Sequence, residues 1–552
     1  MAFRPTSSRV RQSFGGQPAV WLLVVLSLPL IGGCGRGGEE ASAVVEPEGH
    51  SGASNAGGDR PVREEPSTGA AADNAGRRLP AFPTELSPAQ GTAKGTVGED
   101  PNDQSPKNRN PDLERSEPSG PSEQELQRGG LRRIVGKHLT LITDLPPAAA
   151  VDELPQVFER AIPSWCDYFG ISPEKVSNWQ VVGYLMKDRR PFVDLELIPG
   201  HVPPFNNGYA TRRRLWFDDQ PSDYYRRHLL LHEGTHAFMF EVFGSCGPSW
   251  YMEGMAELLA THRWHDDKLT MGYFPNDREE VALLGRIRMV RDEVAAGRTE
   301  SLRSIMAYDG RAYFEHQVPY GWSWALCAFL DGHPRYQQRF RELSRLLETQ
   351  SPESSPSDKD LTATFRQVMD ADWHELNAEW QLFTHEVVHG HDLKRTAIEF
   401  AAGEPLEAAG RTFEVDSSRG WQSSGIRLEA GRRYQLQANG RYQIASEPKV
   451  WWCEPGGVTI RYHRGQPLGI LLAALRPDIG ENKEPKVGRE RDAHGAKGDP
   501  PDGSLLLPRV VGLKTTWRPT ESGTLYLRIN DSAADLGDNS GSLVVEIREL
   551  SD

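Results

Sequence analysis

The residues best suited to chemistry are two histidines and a glutamate in the run His232-Glu233-Gly234-Thr235-His236. On an α-helix, residues four apart lie on the same face, so His232 and His236 can bind one zinc ion. Glu233 then projects beside the metal, where its carboxylate can take a proton from water. Because so short a pattern also arises by chance, the interpretation depends on the elements around it.

A second pair of acidic residues follows in segment 250–260, which reads WYMEGMAELLA and predicts another helix. A catalytic zinc ion held by two histidines needs a third protein ligand and an open position, and Glu253 can supply that ligand. Glu257 lies one turn later and can accept a hydrogen bond from a ligating histidine, which fixes the tautomer of that histidine. The pattern therefore predicts a zinc site made by His232, His236 and Glu253.

The same five-residue pattern occurs again at His385-Glu386-Val387-Val388-His389. No comparable acidic helix follows this copy. We interpret it as a solvated helix end whose histidines favour the negative end of the helix dipole. Only the first copy is predicted to be a metal site.

The elements that must position these residues alternate between strands and helices from residue 131 onward. Residues 138–143, 179–186 and 214–217 predict strands, and residues 151–169 predict an amphipathic helix ended by Gly170. Ser222 is the expected N-cap of the zinc-binding helix and Gly244 its expected C-terminal glycine. An α+β domain over residues 131–392 follows from this pattern.

HEGTH followed by WYMEGMAE resembles the gluzincin metallopeptidases, the thermolysin-like and aminopeptidase-N-like clan, and in particular its peptidase MA-like group. The resemblance implies that Glu253 is the zinc ligand and that Glu257 supports the site from behind. The spacing from His236 to Glu253 is slightly shorter than in the aminopeptidases, which leaves open a swap of the two glutamate roles.

Two further features extend this resemblance. Segment 317–330 resembles the tyrosine-bearing helix start of the aminopeptidase-N-like enzymes, which implies that Tyr320 donates a hydrogen bond to the oxyanion. Tyr308 and Tyr313 are alternatives for that role, and a merely half-buried Tyr320 at the start of a core helix is another. By analogy of fold, residues 208–211 are expected to form the edge strand that pairs with a peptide.

The pattern changes from about residue 411, where short alternating strands are separated by glycine-rich turns. Such period-two segments predict an all-β sandwich over residues 411–552, joined to the first domain by a linker at 393–410. The expected fold is therefore multidomain: a gluzincin-like α+β domain followed by a β-sandwich.

One turn of this β region gathers hard oxygen ligands: Asp531, Asp535, Asp538 and Asn539. Oxygen ligands at this spacing suit calcium. The segment resembles the calcium loop of the bacterial galactose-binding lectin family, and the resemblance implies calcium and a carbohydrate as ligands. An Asp- and Asn-rich hairpin turn without an ion is the alternative.

The N-terminus carries a basic stretch and an apolar run from residue 20 to 31, followed by small residues and Cys34. This pattern resembles the bacterial lipobox and predicts a lipoprotein signal over residues 1–34, with lipidation at Cys34. An ordinary secretory signal is the alternative. Residues 35–130 are rich in Gly, Ser, Pro, Ala, Glu and Asp and predict a disordered linker. The expected location is the bacterial cell envelope, with the membrane as partner through the lipid.

The composition bears on the kinds of partner and on the disulfides that the chain can have. The 552 residues carry 63 Lys and Arg against 77 Asp and Glu, a net charge of −14, which argues against a nucleic-acid partner. Four further cysteines, at 166, 246, 327 and 453, allow three disulfide pairings, and the sequence selects none.

Two functions remain open. The first is an envelope-anchored zinc metallopeptidase that hydrolyses peptide or protein substrates. The second is an inactive peptidase-fold surface protein that binds glycans or proteins through the β-sandwich. The intact set of His232, Glu233, His236 and Glu253 favours the enzyme, because an inactive copy has no reason to keep the base.

Overall fold

The computed structural model describes residues 121–281, 285–348, 357–478 and 503–551. The elements are mixed α/β and contain several sheets. The predicted signal segment with Cys34, and residues 35–120 of the predicted linker, lie outside the described residues. All described residues belong to one compact unit, residues 98–552.

Helices dominate the first part of the described chain and strands the second. The α-helices are α1 Glu123–Gly129, α2 Ala149–Asp152, α3 Leu154–Phe169, α4 Arg190–Asp194, α5 Asp223–Phe243, α6 Ser249–Ala260, α7 Arg286–Ala295, α8 Leu302–Met306, α9 Gly310–Glu315, α10 Val318–Gly332, α11 Gln337–Glu348, α12 Asp358–Met369, α13 Trp373–Glu386 and α14 Leu393–Thr396. The strands are β1 Arg132–Val135, β2 Leu139–Thr143, β3 Val181–Met186, β4 Gly208–Ala210, β5 Arg214–Asp218, β6 His262–His265, β7 Lys268–Met271, β8 Glu404–Pro405, β9 Arg411–Asp416, β10 Gln422–Leu428, β11 Arg433–Asn439, β12 Tyr442–Ala445, β13 Trp451–Cys453, β14 Val458–His463, β15 Gln466–Leu468, β16 Leu471–Pro477, β17 Arg509–Val510, β18 Lys514–Trp517, β19 Gly523–Ile529 and β20 Ser542–Leu550.

The first sheet has the strand order β1-β2-β3-β5-β4. Strands β2, β3 and β5 are parallel, and both outer strands, β1 and β4, run antiparallel to their neighbours. Every residue of β3 is buried, as expected for a strand covered on both faces. The short strand β4 therefore forms one edge of the sheet.

Helices α3, α5, α6 and α10 share one apolar core with one face of this sheet. Large aromatic side chains fill it, among them Trp165, Trp250 and Trp322, which are 0–1% exposed. The opposite face of the sheet is covered by α1 and by the chain between β3 and β4. The helices that carry His232, His236 and Glu253 are thus held within this core.

Two expectations about the start of this region were wrong in detail. Helix α1 lies inside the segment 35–130 that the sequence predicts to be disordered, because Leu126 is buried against the sheet and Ser122 and Glu125 form a capping box. The helix expected over residues 151–169 is two helices, α2 and α3. The break occurs at Glu153, two residues before Pro155, whose nitrogen cannot donate a hydrogen bond within the helix.

The second part of the chain is built mainly from two sheets, of order β17-β16-β19-β10-β8 and β18-β11-β20-β9. Neighbouring strands in them are antiparallel except for β8, which runs parallel to β10. Apolar residues from both sheets alternate inward and form one core, the arrangement expected of a β-sandwich. The expected linker 393–410 contains helix α14 and strand β8, which pairs with β10. The segment packs against the rest of the fold through Leu393 and Ile398, whose side chains are buried.

The helical part and the strand part are joined by polar and apolar contacts. Leu382 of α13 and Ile398 pack in one cluster with Ile470, which precedes β16, and with Leu472 and Tyr526 of the strands. The Asp392 N–H donates to the Ala533 carbonyl over 2.9 Å, so the 531–539 turn lies next to the end of the helical part.

Two further observations bear on the sequence expectations. The four described cysteines, at 166, 246, 327 and 453, are buried thiols. Within the described ranges, helices of the length and apolarity needed to cross a membrane are absent.

Candidate metal centre

Helix α5 carries the first histidine–glutamate pattern, and local capping fixes its ends. The Ser222 hydroxyl accepts a hydrogen bond from the Tyr225 N–H over 3.1 Å, and Gly244 ends the helix in the left-handed conformation with φ of 75°. The boundaries are those predicted from the sequence. Within the helix, His232 and His236 lie one turn apart, with 3.2 Å between their Nε2 atoms.

Helix α6 brings Glu253 to the same point. Glu253 Oε2 lies 3.2 Å from His232 Nε2 and 3.6 Å from His236 Nε2. The close packing of α6 on α10 depends on Gly254, because a Cβ there would lie 2.6 Å from the Ser323 carbonyl oxygen. A side chain at this position would force α6, and Glu253 with it, away from the histidines.

The three ligand atoms fit a zinc ion. Ligands about 2.0–2.1 Å from a tetrahedral zinc ion lie about 3.3 Å from one another, close to the three distances found here. His232, His236 and Glu253 are 6–8% exposed, and Glu253 Oε2 has no hydrogen-bond donor among the described residues. A buried carboxylate oxygen without a donor, facing two imidazole nitrogens, is the arrangement expected of metal ligands.

Glu257 lies on the far side of His232 from Glu253. Its Oε1 is 3.5 Å from His232 Nδ1, and its Oε2 is 3.2 Å from His228 Nε2. An ionised carboxylate only accepts hydrogen bonds, so this contact favours a proton on His232 Nδ1 and leaves the Nε2 lone pair for a metal. The geometry therefore places Glu253, and not Glu257, against the Nε2 atoms of both His232 and His236.

Two residues of this network were missed by the sequence analysis. Arg286 of α7 binds both oxygens of Glu257, at 2.9 Å and 2.7 Å, and His228 contacts the same carboxylate. Burial opposes ionisation of Glu257, but Arg286 and His228 outweigh it and hold the pKa of Glu257 well below its ordinary value. His228 precedes His232 by one helical turn and could have been noticed, whereas no local pattern marks Arg286.

Glu233 lies next to the histidine pair and against strand β4. Its side chain is 4% exposed and faces Gly208, where a Cβ would lie 2.7 Å from Glu233 Cδ. Burial raises the pKa of Glu233 to about 6, against the lowering effect of His232 and His236. A carboxylate with a pKa near neutrality is suited to act as a general base.

Tyr320, near the start of α10, faces the same centre. Its ring centroid lies 6.1 Å from that of His232. Burial, together with the charges of Glu253 and Glu233, raises the pKa of Tyr320 far above its ordinary value, so the phenol stays protonated. The alternative Tyr313 is engaged elsewhere, since its hydroxyl lies 2.6 Å from the Ser323 hydroxyl. Tyr308, the other alternative, is a buried residue of the core.

The second histidine–glutamate pattern is split between two structures. Helix α13 ends at Glu386, so His385 lies in the helix and His389 in the following turn. Glu386 forms ion pairs with Arg464 at 3.0 Å and with Arg528 at 2.9 Å. Among the described residues, this copy does not bring three possible ligand atoms close enough together to hold one metal ion. Its visible role is to join the helical part to the strands.

The turn after β19 brings together part of the expected calcium set. Asp531 Oδ2 accepts a hydrogen bond from Asn539 Nδ2 over 3.0 Å, whereas Asp535 is exposed. The buried atoms Asp538 Oδ1 and Asn539 Oδ1 lack a hydrogen-bond donor within the described part of the chain. The three aspartate carboxylates do not converge within 4.8 Å.

Comparisons with solved structures include two weak likenesses. Strands and helices over 75% of this chain are similar to 68% of an aminopeptidase N family protein from Idiomarina loihiensis, at 11% identity and a TM-score of 0.32. A quarter of this chain (25%) is similar to 95% of the EclA N-terminal domain, a PllA-like lectin, at 22% identity and a TM-score of 0.17. No family model matches the sequence, and no curated protein matches it.

Proposed function

We propose that this chain is a zinc metallopeptidase whose metal is held by His232, His236 and Glu253. One observation carries the proposal: two imidazole nitrogens and one carboxylate oxygen meet within 3.6 Å, beside a buried glutamate and below an open sheet edge. A bound zinc ion supplies a Lewis acid that activates water and polarises a carbonyl group. Proton transfer and hydrogen bonding to the oxyanion are assigned to side chains of the protein.

Glu233 is the general base in this proposal. It takes the proton from the attacking water and delivers a proton to the leaving amine. Its pKa of about 6 keeps it ionised at neutral pH and still basic enough to accept a proton. Tyr320 keeps its proton and donates a hydrogen bond to the oxygen on which negative charge develops.

Strand β4 is the proposed docking edge for a peptide substrate. Asp218 N–H donates to the Asn207 carbonyl and Thr211 N–H donates to the Arg214 carbonyl, so alternate residues of this segment bond to β5. In an antiparallel pair the intervening residues, Gly208 and Ala210, direct their N–H and C=O groups away from β5. A peptide that adds as a further strand at this edge would pass directly over Glu233.

Further proposals concern ligand binding by the β region and membrane anchoring by the N-terminus. We propose that the 531–539 turn binds calcium, a proposal supported by the buried acceptor atoms Asp538 Oδ1 and Asn539 Oδ1. Binding of a carbohydrate next to this turn remains a proposal carried by the sequence resemblance. Anchoring in the bacterial envelope through Cys34 likewise rests on the sequence.

The zinc content of the purified protein tests the central proposal. The wild-type chain is expected to hold one zinc equivalent, and His236→Ala is expected to lose it. His385→Ala is the matched control in the second copy and should keep the full equivalent. A full equivalent in His236→Ala would refute the assignment.

A further inference from the structure

Arg286 is a buried cation that occupies both oxygens of Glu257. It is 6% exposed, and its Nε and Nη2 atoms donate to Glu257 Oε2 and Oε1 over 2.9 Å and 2.7 Å. A bidentate guanidinium–carboxylate pair holds both groups in one orientation. Both of these hydrogen bonds go to Glu257, and neither goes to His232, His236 or Glu253.

Glu257 belongs to a second group of atoms that could hold a metal ion. His228, His232 and Glu257 each offer one ligand atom, and these atoms lie within 4.8 Å of one another. His228 Nδ1 lies 3.0 Å from the Ala260 carbonyl oxygen and His228 Nε2 lies 3.2 Å from Glu257 Oε2, so Nε2 is the ring atom that His228 would offer to a metal in this set. Two imidazole nitrogens and a carboxylate form a set of the type that binds zinc.

The two ligand sets overlap at His232. One set uses His232 Nε2 with His236 and Glu253, and the other uses His232 with His228 and Glu257. Metal bound in the second set would take His232 Nδ1, the atom that faces Glu257 Oε1 at 3.5 Å, and would replace the proton through which Glu257 orients the His232 ring. If both sets could bind zinc, the metal would be divided between the proposed catalytic centre and the His228–His232–Glu257 set.

We propose that Arg286 is a built-in cation that excludes metal from the His228–His232–Glu257 set and so reserves His232 for the centre with His236 and Glu253. Arginine is suited to this role because it stays charged under all ordinary conditions and saturates both carboxylate oxygens at once. The inference rests on the proposed zinc function. It makes Arg286 a positioning residue, which acts on the metal through Glu257 and His232.

Zinc retention in combined variants tests the exclusion. Each variant is saturated with Zn²⁺, dialysed, and measured for metal by elemental analysis, with circular dichroism as the check of folding. His236→Ala alone should lose its zinc, because Arg286 blocks the second set. Arg286→Met combined with His236→Ala should regain about one equivalent, and adding His228→Ala should remove it again.

Arg288 provides the matched control. It lies two residues along the same helix, with its side chain 80% exposed. Arg288→Met combined with His236→Ala should hold no zinc. If the Arg286→Met combination does not fold, Arg286→Gln replaces it, since glutamine is neutral but still donates a hydrogen bond to Glu257; the same regain of zinc is expected.

The outcomes separate this inference from the function on which it rests. A folded Arg286→Met, His236→Ala protein without zinc overturns the exclusion while leaving the metal centre intact. A zinc equivalent in His236→Ala that disappears with His228→Ala also overturns it, because Arg286 would then not block the second set. A wild-type chain without zinc refutes the proposed function itself.

Discussion

Gly208 of the edge strand lies directly against the carboxylate of Glu233, so close that any side chain at position 208 would overlap it. The peptide edge and the proposed base are therefore held in one fixed relationship. The strand reaches this position because its neighbour β5 is aligned with it from Gly208–Phe217 to Ala210–Leu215.

Gly208→Ala is expected to lower kcat/KM for a peptide substrate by at least about tenfold, because the new methyl group must displace Glu233 from its position. Zinc content should stay at one equivalent, since the ligands lie on α5 and α6. Gly200→Ala is the control: this glycine has open space around it and should tolerate the change. Unchanged kinetics in Gly208→Ala would mean that Glu233 is free to move without cost.

Glu233→Gln is expected to keep its zinc and to lose about 10²–10⁴-fold in kcat, because an amide cannot take the proton from water. Hydrolysis of casein or a peptide library, together with elemental analysis, measures both effects. Turnover at the wild-type rate would exclude Glu233 as the base.

Tyr320→Phe is expected to lower kcat by about 10²–10³-fold with little change in KM, since an oxyanion donor acts mainly in the transition state. Tyr313→Phe is the matched control, because the Tyr313 hydroxyl bonds to Ser323 inside the core. Kinetics that respond to Tyr313→Phe but not to Tyr320→Phe would move the role to the other tyrosine.

The parts of this site that the sequence predicts are those set by local periodicity. His232, His236 and Glu253 each occupy helical positions whose caps and spacing can be read within a few residues, and helix α5 begins and ends where Ser222 and Gly244 indicate. Arg286 reaches Glu257 from a separate helix, and nothing near residue 286 in the sequence marks that contact.

Long-range packing also explains the errors of the fold prediction. Leu126 lies in a polar segment that reads as disordered, yet the sheet buries it and so supports α1. The second histidine–glutamate pattern looks like the first, but Val387 leaves the helix and Glu386 turns to arginines of the strand region. Neither outcome can be derived from the residues nearby.

Glu386→Ala is expected to lower the free energy of unfolding by about 3 kcal/mol, because it leaves the charge of the buried Arg528 without a carboxylate partner. Zinc content and kcat should not change, since this residue joins two parts of the fold. Urea unfolding measures the loss. Glu549→Ala, which removes an exposed ion pair with Arg432, should cost at most about 1 kcal/mol.

Asp531 links the stability of the strand region to both pH and calcium. Burial raises the pKa of Asp531 to about 6, so in the absence of calcium the folded state binds its proton more tightly than the unfolded state. The stabilisation from this proton is complete below the unfolded pKa of about 4 and disappears as the pH rises through about 6. In a chelator, the unfolding free energy of the wild type should therefore fall by about 2 kcal/mol, relative to Asp531→Asn, between about pH 4 and pH 7.

Calcium should remove this fall at neutral pH, because the ion takes the place of the proton between the buried oxygens. Urea unfolding of the full chain at both pH values, with and without calcium, measures the effect. If the curves of wild type and Asp531→Asn respond alike to calcium, Asp531 is not a calcium ligand.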